Sequence, residues 1–249
     1  MKIHTVILAA GEGSRMISNK AKSLQPIGGH SMLKRIYETV ANITDETSFV
    51  VGHEKESIIK ETESFNGILH ISEQKKSIGT ADAVKSSFDS ISDDSKVLVL
   101  YGDVPLIKES TLKNLLSLTK DSLTILTTEI EDPFGYGRVK KDLSGSAQAI
   151  VEEKDASEEE IKIKEIFTGI LCCNKKLLAE AVNDVNNENA ANEFYLTDIV
   201  SIICKKGFKV NTCSVPNEEV KGANTKKELS LSLIHISEPT RQAEISYAV

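Results

Sequence analysis

Short apolar runs alternate with longer amphipathic stretches along the 249 residues of the chain. Thr5-Val6-Ile7-Leu8-Ala9 predicts a strand buried on both faces. A polar, glycine-rich segment follows. Ser31 to Ile43 then predicts a helix with Met32, Leu33, Ile36, Tyr37 and Val40 along one side. Phe49 to Gly52 predicts a second strand, Glu54 to Phe65 a second helix and Ile68 to Ile71 a third strand. Gly79 to Phe88 is a further helix. Val97 to Tyr101 is a strand ending in Gly102-Asp103, and a helix starting near Glu109 leads to the strand Ser122 to Thr128.

This rhythm predicts an α/β fold, a mostly parallel Rossmann-like sheet with helices on both faces. In such a sheet the loops after the strands share one edge, and ligands bind there. Beyond Glu131 the pattern is less regular. Asp132 to Gly137 is a turn cluster, Arg138-Val139 enters another strand, and Ile150 to Lys154 is a strand end. The charged run Asp155 to Glu160 predicts a solvated helix. Asn183 to Asn192 is a polar loop before a helix over Tyr195 to Cys204.

Composition narrows the picture. The chain carries 30 Lys+Arg against 37 Asp+Glu, a net charge of −7. That balance, with no dense basic stripe, argues against broad nucleic-acid binding. No apolar run approaches the roughly 18 residues of a membrane span. The first apolar stretch stops at Gly11, which favours a buried strand over a signal peptide. The cysteines (Cys172, Cys173, Cys204 and Cys213) form no zinc spacing. Cys172 and Cys173 read as buried core thiols, and a cytoplasmic protein is expected.

Three sets of residues carry candidate chemistry. In Leu8-Ala9-Ala10-Gly11-Glu12-Gly13-Ser14-Arg15-Met16 a buried strand delivers a glycine-rich turn whose backbone N–H groups can approach a phosphate. Arg15 would add a planar fork of donors and Lys22 a point charge. The pattern is neither a Walker loop nor G-x-G-x-x-G, and a plain strand-exit loop is the competing reading. Asp103 ends a central strand, where a lone carboxylate suits Mg²⁺ or, equally, caps the next element. The third set is Gln74, Gly79-Thr80, Gly135-Tyr136-Gly137, Glu152, Thr168-Gly169 and Gly222-Ala223-Asn224. Each follows a strand or opens a helix, so each can line one cleft; singly, each is equally a turn or a cap.

Together these segments resemble the N-acetylglucosamine-1-phosphate uridylyltransferase family, the amino-terminal domain of the bifunctional bacterial enzyme that makes UDP-N-acetylglucosamine. The markers are Leu8 to Met16, Ile78 to Ala81, Tyr101 to Leu106, Asp132 to Arg138, Ile150 to Asp155, Phe194 to Ile199 and Gly222 to Asn224. The resemblance implies a nucleotide-diphospho-sugar transferase fold over residues 1–232 and a place in peptidoglycan and lipopolysaccharide precursor synthesis. It implies that Leu8, Ala9, Ala10 and Gly11 hold UTP, with Arg15 and Lys22 as the catalytic cations on its phosphates. Gln74, Gly79 and Thr80 would read uracil and ribose. Asp103 with Asn224 would hold Mg²⁺ as cofactor. Gly137, Glu152 and the position of Phe167 would meet the sugar-1-phosphate, and Tyr101 and Gly102 would wall the pocket. The implied partners are UTP and a sugar-1-phosphate, with neither nucleic acid nor membrane. An inactive nucleotide-sugar-binding fragment is the reading from a different class.

Two positions depart from the family. Ala21 stands where the family has proline before Lys22, and Phe167 stands where it has an asparagine that contacts the sugar. Phe cannot supply those hydrogen bonds, which opens the possibility of another hexose-1-phosphate. The left-handed β-helix that carries acetyltransferase activity in the family, and its trimerising surface, are expected to be absent. Residues 233–249 continue nothing before them and resemble translated sequencing-adapter text, so they read as a non-native tail.

Overall fold

The computed structural model describes residues 1–11, 21–52 and 54–222. Residues Glu12 to Met16, Asn224 and the 233–249 tail lie outside that range, so the readings placed on Arg15, on Asn224 and on the tail do too. The elements run β1 (Ile3–Leu8), β2 (Pro26–Ile27), β3 (His30–Ser31), α1 (Met32–Val40), β4 (Glu46–Val51), α2 (Lys55–Thr62) and β5 (Ile68–Glu73). Next come α3 (Thr80–Lys85), β6 (Lys96–Tyr101), α4 (Glu109–Leu118), β7 (Thr124–Glu129), β8 (Arg138–Lys141) and β9 (Ala147–Val151). The chain continues through β10 (Glu165–Asn174), α5 (Lys175–Asn183), α6 (Ile199–Lys205), β11 (Asn211–Ser214) and α7 (Asn217–Val220).

The main sheet has the order β11-β7-β10-β6-β1-β4-β5, with the β8–β9 hairpin attached through β10. The pairs β1·β4, β4·β5, β1·β6 and β7·β11 are parallel, as the alternating pattern predicts. Alternate side chains of β1 divide between two cores. Val6 and Leu8 pack with α3, α5 and α6, whereas Ile7 and Ala9 pack with α1, α2 and α4. A strand covered on both faces is apolar at successive positions where it crosses the core, as β1 is from Val6 to Leu8. The Ser31 hydroxyl starts α1 by accepting the Lys34 N–H at 3.0 Å. Among the described residues no helix is long and apolar enough to cross a membrane.

One expectation fails, the helix over the charged run, and two features lie outside what the pattern predicts, the sense of β10 and the helix α5. β10 runs antiparallel to both β6 and β7. An apolar run buried on both faces looks the same in either direction, and only the connections fix its sense. The charged run from Asp155 forms no α-helix, just a 3-10 turn at Glu160–Lys162. With no apolar face to bury, a helix there gains nothing from packing. α5 was not anticipated, although it buries Leu177, Leu178, Ala181 and Val182 as one stripe. Cys172 and Cys173 lie in β10 as buried thiols; burial pushes Cys172 up to about 11 and raises Cys173 further. Neither is a thiolate at neutral pH.

At the amino-terminal edge of the sheet lies a buried polar cluster. His4 is 2% exposed, and its Nε2 lies 2.7 Å from the Ser48 hydroxyl. His70 stacks on it and meets Glu46, which also accepts from Lys2. Burial, reinforced by His70 and only partly opposed by Glu46, pulls His4 down to about 4. The unfolded chain takes up that proton near pH 6.5. The stabilisation from neutral His4 is therefore complete above about pH 6.5 and is lost as pH falls toward 4. Its size is on the order of 3 kcal/mol. Urea unfolding of the wild type at pH 7 and pH 4.5 should show this loss, and His4→Gln should show a markedly smaller drop. An equal drop in both proteins would assign the acid sensitivity elsewhere.

Candidate active site

Strands β1, β4 and β6 end together. Past their ends the ladder continues, with Ala9 N–H donating to the Val50 carbonyl at 2.9 Å and Gly102 N–H to the Leu8 carbonyl at 2.8 Å. The backbones of Ala9 to Gly11 and of Gly102-Asp103 thus emerge side by side. β1 lies between β6 and β4, so successive connections leave it in opposite directions, and a crevice opens at its carboxyl end. There a cavity of about 360 Å³ is lined by Leu8, Ala9, Ala10, Gly11, Lys22, Gln74, Gly79, Thr80, Tyr101, Gly102 and Asp103. Every residue assigned from sequence to the nucleotide side and present among the described residues is in this wall. Ser77, Ala83, Ser23 and Glu193 join them; no motif marks these four.

Lys22 enters on a 3-10 turn, Lys22–Leu24, and its ammonium is bonded to the Asp103 carboxylate. Both side chains are only partly exposed, 17% and 22%. Ala21, at the proline position, has φ −46 and ψ 140, close to what a proline ring would impose. The backbone approach to Lys22 is therefore retained without the ring.

A second, smaller cavity of about 200 Å³ shares Tyr101 and Asp103 with the first. Its walls include Gly137, Glu152, Phe167, Gly169 and Thr197. The residues assigned to the sugar side therefore come together in one lobe. Three contacts shape it. β10 breaks register against β7 between Phe167 and Leu171, which sets Thr168-Gly169 into the wall. Gly169, at φ +85, leaves room for the Tyr101 ring, whose carbons would lie 2.1 Å from an added Cβ. The Phe167 N–H donates to the Gly137 carbonyl at 2.9 Å, joining the strand to the turn. Burial pushes the Tyr101 phenol well above its ordinary value, and a hydrogen bond with Thr80 opposes this only in part.

Charge in the second lobe is arranged in two layers. Thr197 donates its hydroxyl proton to Glu152 Oε1 at 2.9 Å. Burial raises the Glu152 carboxyl, and Asp198 and Asp155 add to the rise. Behind it, Arg138 is 1% exposed. It donates to the Tyr136 carbonyl and, at 2.5 Å, to Glu153. Glu153 also accepts the Gly135 N–H at 3.1 Å. The guanidinium and that N–H together hold Glu153 below the usual carboxylate range. Turn 135–137 is thereby fixed on both sides, with Gly137 presented to the cavity. Thr197 was not singled out in sequence, but it lies within the Phe194 to Ile199 block.

The donor set fits a hard divalent cation. Asp103 offers one carboxylate at the junction of the two lobes, and Mg²⁺ takes one or two protein carboxylates with phosphate oxygens and waters. Gly222 lines the same lobe as Asp103, so the chain reaches the cavity two residues before Asn224. α7 is anchored there by Glu219, which accepts from Thr111 at 2.6 Å and Lys108 at 2.9 Å. Burial alone would raise the Glu219 carboxyl, but these donors outweigh it and hold it low.

The model of the MobA-like NTP transferase domain matches residues 5–162. The bifunctional protein GlmU of Caldicellulosiruptor saccharolyticus is 42% identical over 231 residues, covering 90% of this chain and 50% of that protein. GlmU of Dechloromonas aromatica is 40% identical over 230 residues, covering 92% and 50%. The chain thus spans about half the length of the curated relatives it matches. Among solved structures, a Bacillus anthracis protein provisionally assigned as a glucose-1-phosphate thymidylyltransferase, in complex with sucrose, superposes with a TM-score of 0.74. It covers 93% of this chain and 94% of its own at 20% identity, a likeness of fold.

Proposed function

The chain belongs to the MobA-like NTP transferase domain family, and from that premise we propose that it is a sugar-1-phosphate uridylyltransferase converting UTP and N-acetylglucosamine-1-phosphate to UDP-N-acetylglucosamine and pyrophosphate. The observation that carries the reading is the bonded Lys22–Asp103 pair in the larger lobe, with Asp103 and Tyr101 shared by the smaller one. A nucleotide in the first and a sugar phosphate in the second would meet at that junction.

In the reaction a phosphate oxygen of the sugar-1-phosphate forms a bond to the α-phosphorus of UTP. The bond from that phosphorus to the bridging oxygen breaks, and pyrophosphate leaves. Such a transfer needs little covalent work from the protein; positioning and charge neutralisation carry the rate. The backbone N–H groups after β1 hold the phosphates, and Lys22, with Arg15, offsets the negative charge that builds on the leaving oxygens. Asp103 and Asn224 would hold Mg²⁺, which supplies further neutralisation of phosphate oxygens when bound. Glu152 and the Gly137 backbone position the sugar, and the buried phenol of Tyr101 forms a neutral wall between the lobes.

The test is pyrophosphate release from UTP and Mg²⁺ with a panel of hexose-1-phosphates. Turnover with the N-acetyl sugar supports the proposal; UTP binding without turnover on any sugar would favour the nucleotide-sugar-binding fragment. Phe167 is the position at which sugar choice is tested, because its side chain is 6% exposed, lines the sugar lobe and offers no hydrogen bond. Phe167→Asn should raise the kcat/KM ratio for N-acetylglucosamine-1-phosphate over glucose-1-phosphate by roughly tenfold, the scale of one well-placed hydrogen bond. An unchanged ratio would remove Phe167 from the specificity account.

A further inference from the structure

Gln74 follows β5 and is 9% exposed in the wall of the larger lobe. Its Nε2 donates to the Gly79 carbonyl at 2.9 Å and to Asp82 Oδ2 at 3.0 Å. An amide nitrogen has two hydrogens, and both go to groups that can only accept. Exchanging nitrogen and oxygen would set Oε1 against a carbonyl and a carboxylate at once. The neighbours therefore fix which end of the amide is which. No other described residue donates to Gln74 Oε1, so the cavity wall presents an acceptor there.

We propose that Asp82 is a positioning residue for base selection, holding the Gln74 amide so that its oxygen meets the base. The inference rests on the uridylyltransferase reading above. An acceptor at that point matches the imide N–H of uracil; cytosine carries a lone pair at the same ring position, and acceptor then faces acceptor. The Gly79 carbonyl alone orients the amide more weakly than carbonyl and carboxylate together. Asp82 also sits in the first turn of α3, where an acid favours the helix. A purely structural role there would lower stability without altering the choice between bases.

The experiment is calorimetric titration of the full chain with UTP and with CTP in the presence of Mg²⁺. The wild type should prefer UTP, and Asp82→Ala should narrow the UTP/CTP affinity ratio by about tenfold. Asp82→Asn, which keeps an acceptor oxygen, should retain most of the preference. In a Gln74→Met background, Asp82→Ala should narrow the ratio no further. An Asp82→Ala protein that discriminates as well as the wild type overturns the role of Asp82 alone. A wild type that binds UTP no more tightly than CTP overturns the uridylyltransferase reading and this inference with it.

Discussion

Replacing Asp103 with alanine should lower turnover of UTP by roughly a hundred- to a thousandfold, the scale at which loss of one preorganised charge-stabilising group is felt. The fold should survive. The carboxylate and the Lys22 ammonium both face the cavity, so the variant leaves no isolated charge in the core. A loss of about 1 kcal/mol would move Tm by about 2–4 °C in a chain of this size. The bonded pair adds a sharper expectation. If Lys22 and Asp103 act as one unit on the phosphates, the double variant Lys22→Ala, Asp103→Ala should cost little more in kcat than either change alone. Pyrophosphate release at saturating UTP, together with thermal unfolding, measures both. Asp103→Ala turning over at close to the wild-type rate would sink the assignment of the junction as the reaction centre.

Why so much of this centre is legible in the chain follows from how the fold builds it. The glycine-rich turn after β1 and the Gly102-Asp103 dipeptide after β6 each follow an unbroken apolar run. Parallel neighbours must end at the same edge, so Ala9 to Gly11 and Gly102-Asp103 meet without any contact being known beforehand. Gln74 and Gly79-Thr80 are placed by the same rule, after β5, two strands out from β1. What was not legible depends on long-range chemistry. The antiparallel sense of β10 is decided by its connections, yet it determines where Phe167 and Gly169 sit. Ser77 and Glu193 carry no motif and reach the cavity only because their loops fold over it. Arg138 sits in a turn motif, but nothing in its neighbourhood along the chain announces that its guanidinium is buried and tied to Glu153. Asp82 belongs with these. Its spacing reads as an ordinary first-turn acid, and only the placement of Gln74 gives it a second task.

Gly79→Ala should be the most damaging single methyl addition to the nucleotide lobe. Gly79 has φ +133, a conformation that a side chain strains, and an added Cβ would fall 2.3 Å from the Phe194 carbonyl oxygen and 2.5 Å from its nitrogen. Neither partner can yield. Phe194 donates its N–H to the Ile78 carbonyl at 2.8 Å and accepts from Ala81 N–H at 2.9 Å, so the two backbones are stitched together on both sides of the glycine. The Thr80 hydroxyl, accepting from Leu196 N–H at 3.0 Å, closes the next link. Strain and overpacking together should cost roughly 2–5 kcal/mol, a fall in Tm of roughly 5–15 °C. Gly29→Ala is the matched control: it has a positive φ of +86 but no atom within 4 Å of its Cβ. It should therefore lose only the conformational part, about 1 kcal/mol. Below its Tm the Gly79→Ala protein should also bind UTP more weakly, because the same carbonyl that anchors the Gln74 amide is displaced. The sugar lobe, which Gly79 does not line, should keep its affinity for the sugar phosphate. Equal losses for the two variants would show that backbone conformation alone, and not the contact with Phe194, sets the requirement for glycine at this position.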